Sequence, residues 1–363
     1  MPPTLREIRH HCSRVLSGHR PRTGRQWFEF LAASPHAALM PDDYGAGPAI
    51  ETLERQVAGL LGKPAASFVP KGMIAQQAAL RVWADRGKSR VVALHPKSHI
   101  AFDERDAVER LHGLALTGLG NDFSPFTAGD LEEAGEIFGV VTVELPLRRA
   151  GYKLPSWDEL VLISDWCREH SVPLHLDGAR LWEAQPFYDR PLADIAALAD
   201  SVYVSLYKGL GGLAGCVLAG DERFIREARV WQTRHGGFLP TAFPEVISGL
   251  EGLRHHLPRM AGYVERARFI ARALTALPGV RVVPSPPPTN AFQLYLPASP
   301  HSLDAAHRAM AAAEGCWLFG RFAPTGLPDL SMAEVSVGDG AEDWSDTEIA
   351  AAVAGLLERA HAR

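Results

Sequence analysis

Only six of the 37 basic residues are lysines, at positions 63, 71, 88, 97, 153 and 208, so a reaction that needs a lysine amine has few candidates. Lys208 has the setting such a reaction favours. It stands between the β-branched run SVYVS (201–205) and the glycine-rich GLGGLAG (209–215), with almost no other charge beside it. Desolvation there favours the neutral amine, which is nucleophilic and condenses with carbonyls to form imines. Ser205 and Tyr207 place hydroxyls within reach of nearby anions. A solvated loop lysine is the alternative, and the apolar flanks weaken it.

A second reactive position is Asp177 in VPLHLDGARLWEA (172–184). An acid that ends an apolar strand and precedes a new helix is placed at the carboxyl edge of a parallel sheet, where open α/β domains bind ligands. A buried carboxylate there needs a cationic partner; the plainer reading is that it caps the next helix. A third piece, Val69-Pro70-Lys71-Gly72-Met73, reads as strand, turn and helix start. The amides of Gly72 and Met73 then offer an anion site suited to a phosphate. An imine-forming lysine, a carboxylate able to keep a pyridine nitrogen protonated and a phosphate-binding helix start are together what pyridoxal 5'-phosphate requires.

These residues need a scaffold that brings strand ends to one edge. With 363 residues, 47% hydrophobic and 22% charged, the chain is long and apolar enough for two domains. Apolar runs at 65–69, 91–94, 139–144, 174–177, 201–205 and 215–220 alternate with helical patterns such as SWDELVLISDWCREH, which indicates a wound α/β domain. Leu53, Val57, Leu60 and Leu61 share one face of a helix that ends at Gly62. The expected organisation is an N-terminal arm over 1–44, a large cofactor-binding domain over 45–250 and a small α+β domain over 251–363. Six arginines against one glutamate in residues 1–26 suggest the arm. The small domain is expected to open with a long helix over 251–277. Strands near 279–283, 291–296 and 334–337 and helices over 303–314 and 346–360 should follow.

Other function classes are disfavoured. A net charge of −5 and a pI near 6.3 argue against nucleic acid as the main partner. The four cysteines lie far apart and suggest neither a disulfide framework nor a metal cage, and no metal is expected. No apolar run is long enough to span a membrane, and MPPTLREIRHHCSRVL lacks the apolar core of a signal peptide. The expected location is cytoplasmic.

The stretch HLDGARLWEA (175–184) resembles the H-x-DGAR-(L/F)-x-x-A signature of the L-threonine aldolase family, and SLYKGLGGLAGCVLAG (205–220) resembles its lysine motif. DDYGAGPAIETLE (42–54), HPKSHIAFDE (95–104) and TRHGG (233–237) are similar to three further family motifs, all in order from about residue 41 to 250. The resemblance implies a pyridoxal phosphate enzyme of fold type I, with a mostly parallel seven-stranded sheet flanked by helices and a smaller α+β domain. It also implies a homodimer or homotetramer acting on a small amino acid. By this match Lys208 would hold the cofactor covalently, Asp177 would pair with its ring nitrogen and His99 would stack on the ring. Gly72, Met73 and Ser205 would contact the cofactor, and Arg180 would bind cofactor or substrate carboxylate.

The chain departs from the family pattern at three places. Lys71-Gly72-Met73 stands where the family has Ser-Gly-Thr, so Lys71 or Arg234 would supply charge to the phosphate. The family's Ser-Asp-Thr is not visible before residue 41. Glu334, in AEVSVGD, aligns with the family's carboxylate-binding arginine, which leaves that role to Arg180 or Arg321. The expected activity is cleavage of a β-hydroxy-α-amino acid to glycine and an aldehyde, with His99, directly or through water, as base. The alternatives are racemisation or β-elimination with Lys208 as the Cα base, and a non-catalytic scaffold that binds cofactor or only dimerises.

Overall fold

A computed structural model describes residues 5–362; the first four residues of the expected arm and the last of the expected small domain lie outside them. The chain divides into two compact units. One is Leu31–Pro258, and the other joins the chain up to Phe30 with the chain from Arg259 onward.

The first unit is built on a seven-stranded sheet. In spatial order its strands are Ala65–Val69, Cys216–Gly220, Ser201–Ser205, Leu174–Gly178, Val140–Glu144, Val91–Leu94 and Ala115–Gly118. Cys216–Gly220 is antiparallel to both neighbours, so the other six strands point the same way. Their carboxyl ends therefore share one edge, which is the requirement set by Lys208, Asp177 and Gly72. The inner strands are buried on both faces, as in a sheet covered on both sides. Ala115–Gly118, an edge strand with no buried residue, is not foreshadowed by LHGLALTGLG, whose glycines break the β pattern.

Helices form where the apolar spacing puts them. Pro48–Leu61 buries Leu53, Val57 and Leu61 and ends at Gly62 with φ of 59°, a left-handed cap that suits glycine. Trp157–Glu169 starts at Ser156, whose hydroxyl accepts from the Glu159 amide. Gly72–Arg86 packs Ala75, Ala79 and Leu80 into the main core, and Trp83 stacks on Phe224 at 4.7 Å between ring centroids. Each large apolar side chain buried there contributes about 1.5–3 kcal/mol.

The second unit carries an antiparallel sheet in the order Ala323–Pro324, Ser331–Ser336, Ala291–Leu296, Arg281–Val283, with the helices Met260–Thr275, Pro300–Glu314 and Asp346–His361. The single helix expected over 251–277 is instead two helices, Phe243–His255 and Met260–Thr275, separated by a 3-10 turn at Leu257–Arg259. Pro258 lies in that turn and cannot donate the amide bond a continuous helix needs. Residues 5–30 also form structure: a helix at Leu5–His11 and a short strand, Arg14–Val15, parallel to Cys316–Trp317. Among the described residues no helix is long and apolar enough to cross a membrane.

Candidate active site

The common carboxyl edge of the large sheet holds a cleft of about 140 Å³ lined by Lys71, Gly72, Met73, His99, Asp177 and Lys208. Gln76, Asp103, Glu104, Ala179, Tyr203 and Tyr207 complete its wall. Five of the eight expected site residues thus meet in one place: Lys208, Asp177, His99, Gly72 and Met73.

Asp177 is 2% exposed, and one of its oxygens accepts from the Ala179 amide at 3.1 Å. Burial pushes its pKa up, while the charges of Lys208 and His99 act the other way. On the neighbouring strand its register partner is a second acid, Glu144. Glu144 accepts from the backbone amides of His99 at 2.6 Å and Arg148 at 3.1 Å. Its pKa is raised first by burial and then by the charge of Asp177. For Lys208, burial draws the pKa down and the Arg180 guanidinium adds to this, against Asp177, Glu144 and Glu183. The neutral, nucleophilic amine expected from the sequence is favoured by that balance.

His99 opens the short helix His99–Phe102, whose N-cap Ser98 accepts from the Ala101 amide. Its Nδ1 lies 3.1 Å from Oε1 of the buried Glu104. The pKa of His99 is raised, chiefly by that hydrogen bond. Beneath the cleft, His175 sits between Gln76 Oε1 at 2.7 Å and Ser201 Oγ at 2.8 Å, and burial lowers its pKa to about 3. His175 is therefore a neutral structural residue.

Where it enters the cleft wall, the helix Gly72–Arg86 has no side-chain cap at Lys71, so its first-turn amides have no partner from that side chain. A Cβ on Gly72 would stand 2.3 Å from the Tyr203 hydroxyl. The helix start at Gly72 and the Tyr203 hydroxyl thus lie together in the cleft wall, to which Lys71 also belongs. Arg234 instead ends the helix Glu222–Arg234, 4.3 Å above the Trp231 ring, and does not line the cleft.

The remaining expected residues lie elsewhere. Arg180 does not line the cleft; its Nη1 is 3.3 Å from Oε1 of the fully buried Glu183 and its guanidinium faces the Tyr152 ring. The buried Ser205 holds the turn before Lys208: its hydroxyl accepts from the Tyr207 amide at 3.4 Å and its carbonyl from the Trp182 indole at 2.9 Å. Arg321 belongs to the other unit, where it is exposed, and Glu334 stands there opposite Gln293 in the antiparallel sheet.

Sequence spacing does not single out Glu104, Glu144, Gln76 or Gln77. Glu144 carries the same signal as Asp177, an acid ending an apolar strand. The two glutamines interrupt the otherwise apolar helix segment AQQAAL, a signal of buried polar partners.

The donor set fits pyridoxal phosphate. It offers an amine of depressed basicity, a buried carboxylate among cations, an imidazole and an anion-binding helix start in one cleft. Comparisons with known proteins agree. The family profile described as beta-eliminating lyase matches residues 30–298. Low-specificity L-threonine aldolase 1 of Arabidopsis thaliana is 28% identical over 257 residues, 68% of this chain and 72% of that protein. A crystal structure from Listeria monocytogenes EGD-E, assigned as an L-allo-threonine aldolase, is 36% identical with a TM-score of 0.90 and covers 97% of this chain and 98% of its own. An Exiguobacterium structure, assigned as an aromatic amino acid beta-eliminating lyase/threonine aldolase, is 34% identical with a TM-score of 0.90, covering 98% and 99%.

Proposed function

The chain belongs to the beta-eliminating lyase family, and from that premise we propose a pyridoxal-phosphate-dependent carbon–carbon lyase that cleaves a threonine-like β-hydroxy-α-amino acid to glycine and an aldehyde. The observation that carries this reading is the meeting of Lys208, Asp177 and His99 in one cleft of a chain whose relatives are named threonine aldolases.

Bound pyridoxal phosphate supplies an electron sink for the pair released when the Cα–Cβ bond breaks. Lys208 holds the cofactor through its amine. Asp177 would keep a proton on the ring nitrogen; burial raises its pKa, and neighbouring positive charge acts the other way. Lys71 and the amides of Gly72 and Met73 hold the phosphate. His99, which lines the cleft, would stack on the cofactor ring and, directly or through one water, take the β-hydroxyl proton. Of Arg180 and Arg321, Arg180 is the one in the unit that holds the cleft and its charge reaches Lys208, so it is the arginine assigned to the substrate carboxylate; Ser205 supports the turn that presents Lys208. Aldol cleavage is preferred to racemisation and β-elimination because the Arabidopsis thaliana relatives are named as threonine aldolases. The working form in this reading is a cytoplasmic homodimer or homotetramer, in which the expected cofactor-binding domain over 45–250 lies within the Leu31–Pro258 unit.

The test is aldehyde release from L-threonine and L-phenylserine by the cofactor-loaded protein, run beside Lys208→Ala. Wild type should release aldehyde and the variant should fall to background. Silence of the wild type on these and a wider panel of β-hydroxy amino acids would defeat the reading.

A further inference from the structure

The wall of the cleft holds a carboxylate that the reaction above leaves without a task. Glu104 is 2% exposed; its Oε1 lies 3.1 Å from His99 Nδ1, and its Oε2 accepts from Gln77 Nε2 at 2.7 Å. Burial raises the Glu104 pKa, and the hydrogen bonds to His99 and Gln77 favour its ionised form; an ionised carboxylate can only accept, so the ring nitrogen facing it carries the proton. His99 Nε2 is then the unprotonated nitrogen of a ring that lines the cleft. Resting on the role given to His99 above, we infer that Glu104 is a positioning residue that fixes the tautomer and orientation of His99 and stabilises the imidazolium formed when His99 takes the β-hydroxyl proton.

Geometry and electrostatics agree on this. Two anchors, Gln77 from the helix Gly72–Arg86 and His99 itself, leave the Glu104 carboxylate little freedom to turn. The imidazole is held above its ordinary pKa chiefly by the Glu104 hydrogen bond, with Asp177 in support and Lys208 opposed. The other acids around it are engaged: Glu144 with the His99 backbone amide and Asp103 with the Arg149 guanidinium. The family resemblance gives roles to His99, Asp177 and Lys208 and none to Glu104.

The variant Glu104→Gln separates charge from shape. Gln77 Oε1 is buried without a partner, so rotating the Gln77 amide lets it receive the new side-chain N–H while the remaining oxygen still faces His99. The readout is the titration midpoint of His99, followed by NMR of ¹³C-labelled histidine Cε1 in the full-length, cofactor-loaded protein and assigned with His99→Asn. Glu104→Gln should lower that midpoint by about one unit, a tenfold change in proton affinity. It should also reduce kcat for aldehyde release from L-phenylserine about ten- to a hundredfold with KM nearly constant. Glu104→Asp, which restores the charge, should recover part of both effects. An unchanged His99 midpoint in Glu104→Gln, or a lost kcat that Glu104→Asp does not recover, would overturn the inference. A wild type that releases no aldehyde yet shows the midpoint shift would overturn the aldol reading and support the coupling of Glu104 to His99.

Discussion

Asp177 and Glu144 face each other across adjacent parallel strands, and two carboxylates so placed resist ionising together. The surroundings part their roles. Burial raises the pKa of both; at Asp177 the charges of Lys208 and His99 oppose it, and at Glu144 the charge of Asp177 adds to it while the His99 and Arg148 amides oppose it. The Lys208 and His99 charges favour, against burial, the anionic Asp177 that a protonated ring nitrogen needs. The same reasoning sets the pH profile. His99 has a pKa raised above 6.5, mainly by Glu104, so it keeps its proton to higher pH than an ordinary histidine. A base works only after that proton leaves. The acidic limb of kcat/KM for aldehyde release should accordingly be centred above pH 6.5, with activity rising as pH increases through it. His99→Asn should abolish that limb, and a variant that retained it would assign the limb to another group.

The helix Gly72–Arg86 shows how one element serves both packing and chemistry. Its start must pass the Tyr203 hydroxyl so closely that a Cβ at position 72 would meet the oxygen at 2.3 Å and the ring carbon Cζ at 3.1 Å. Gly72→Ala should therefore push the helix start off the sheet edge. Overpacking of this kind destabilises by about 1–3 kcal/mol, and cofactor affinity should fall with it because the phosphate amides move. Adding Tyr203→Phe removes the 2.3 Å conflict and leaves the milder 3.1 Å contact, so the double variant should regain stability in denaturant unfolding. No gain over Gly72→Ala would show that the helix start does not depend on this approach. The element itself was legible as strand, turn and apolar helix, and Lys208 and Asp177 as residues at strand ends. The partners of Gln76 and Gln77 were not, because adjacent residues on a helix point in different directions: Gln76 meets His175 and Gln77 meets Glu104, 99 and 27 residues away in the chain. The break at Pro258 was legible in principle. It was obscured because Val264, Ala267, Ile270 and Leu274 form so regular a stripe after it.

At the scale of the molecule, the chain's beginning and end build one unit between them, and local sequence could not show this. Residues 1–26 read as an arm because arginines dominate them, whereas Val15 and Leu16 are 2% and 0% exposed. Their partners lie some three hundred residues on: the Leu16 amide donates to the Trp317 carbonyl at 2.8 Å, and the Trp344 indole donates to the Val15 carbonyl at 3.2 Å. The arginines do form contacts, and Arg20 pairs with Asp343 at 2.6 Å, but those side chains are 45% and 36% exposed. An exposed ion pair contributes about 0.2–1 kcal/mol and is screened by salt. Removing a fully buried leucine forfeits about 2–5 kcal/mol, because transfer energy and cavity formation add. The two effects rank the residues of this segment. Leu16→Ala should lower the unfolding free energy of the unit that joins the chain up to Phe30 with the chain from Arg259 onward several times more than Arg20→Ala, and only the Arg20→Ala effect should shrink in high salt. Urea unfolding of the two variants beside wild type, at low and high salt, measures both quantities. A segment held by its arginines would give the reverse order, and that result would return residues 5–20 to the status of a charged arm.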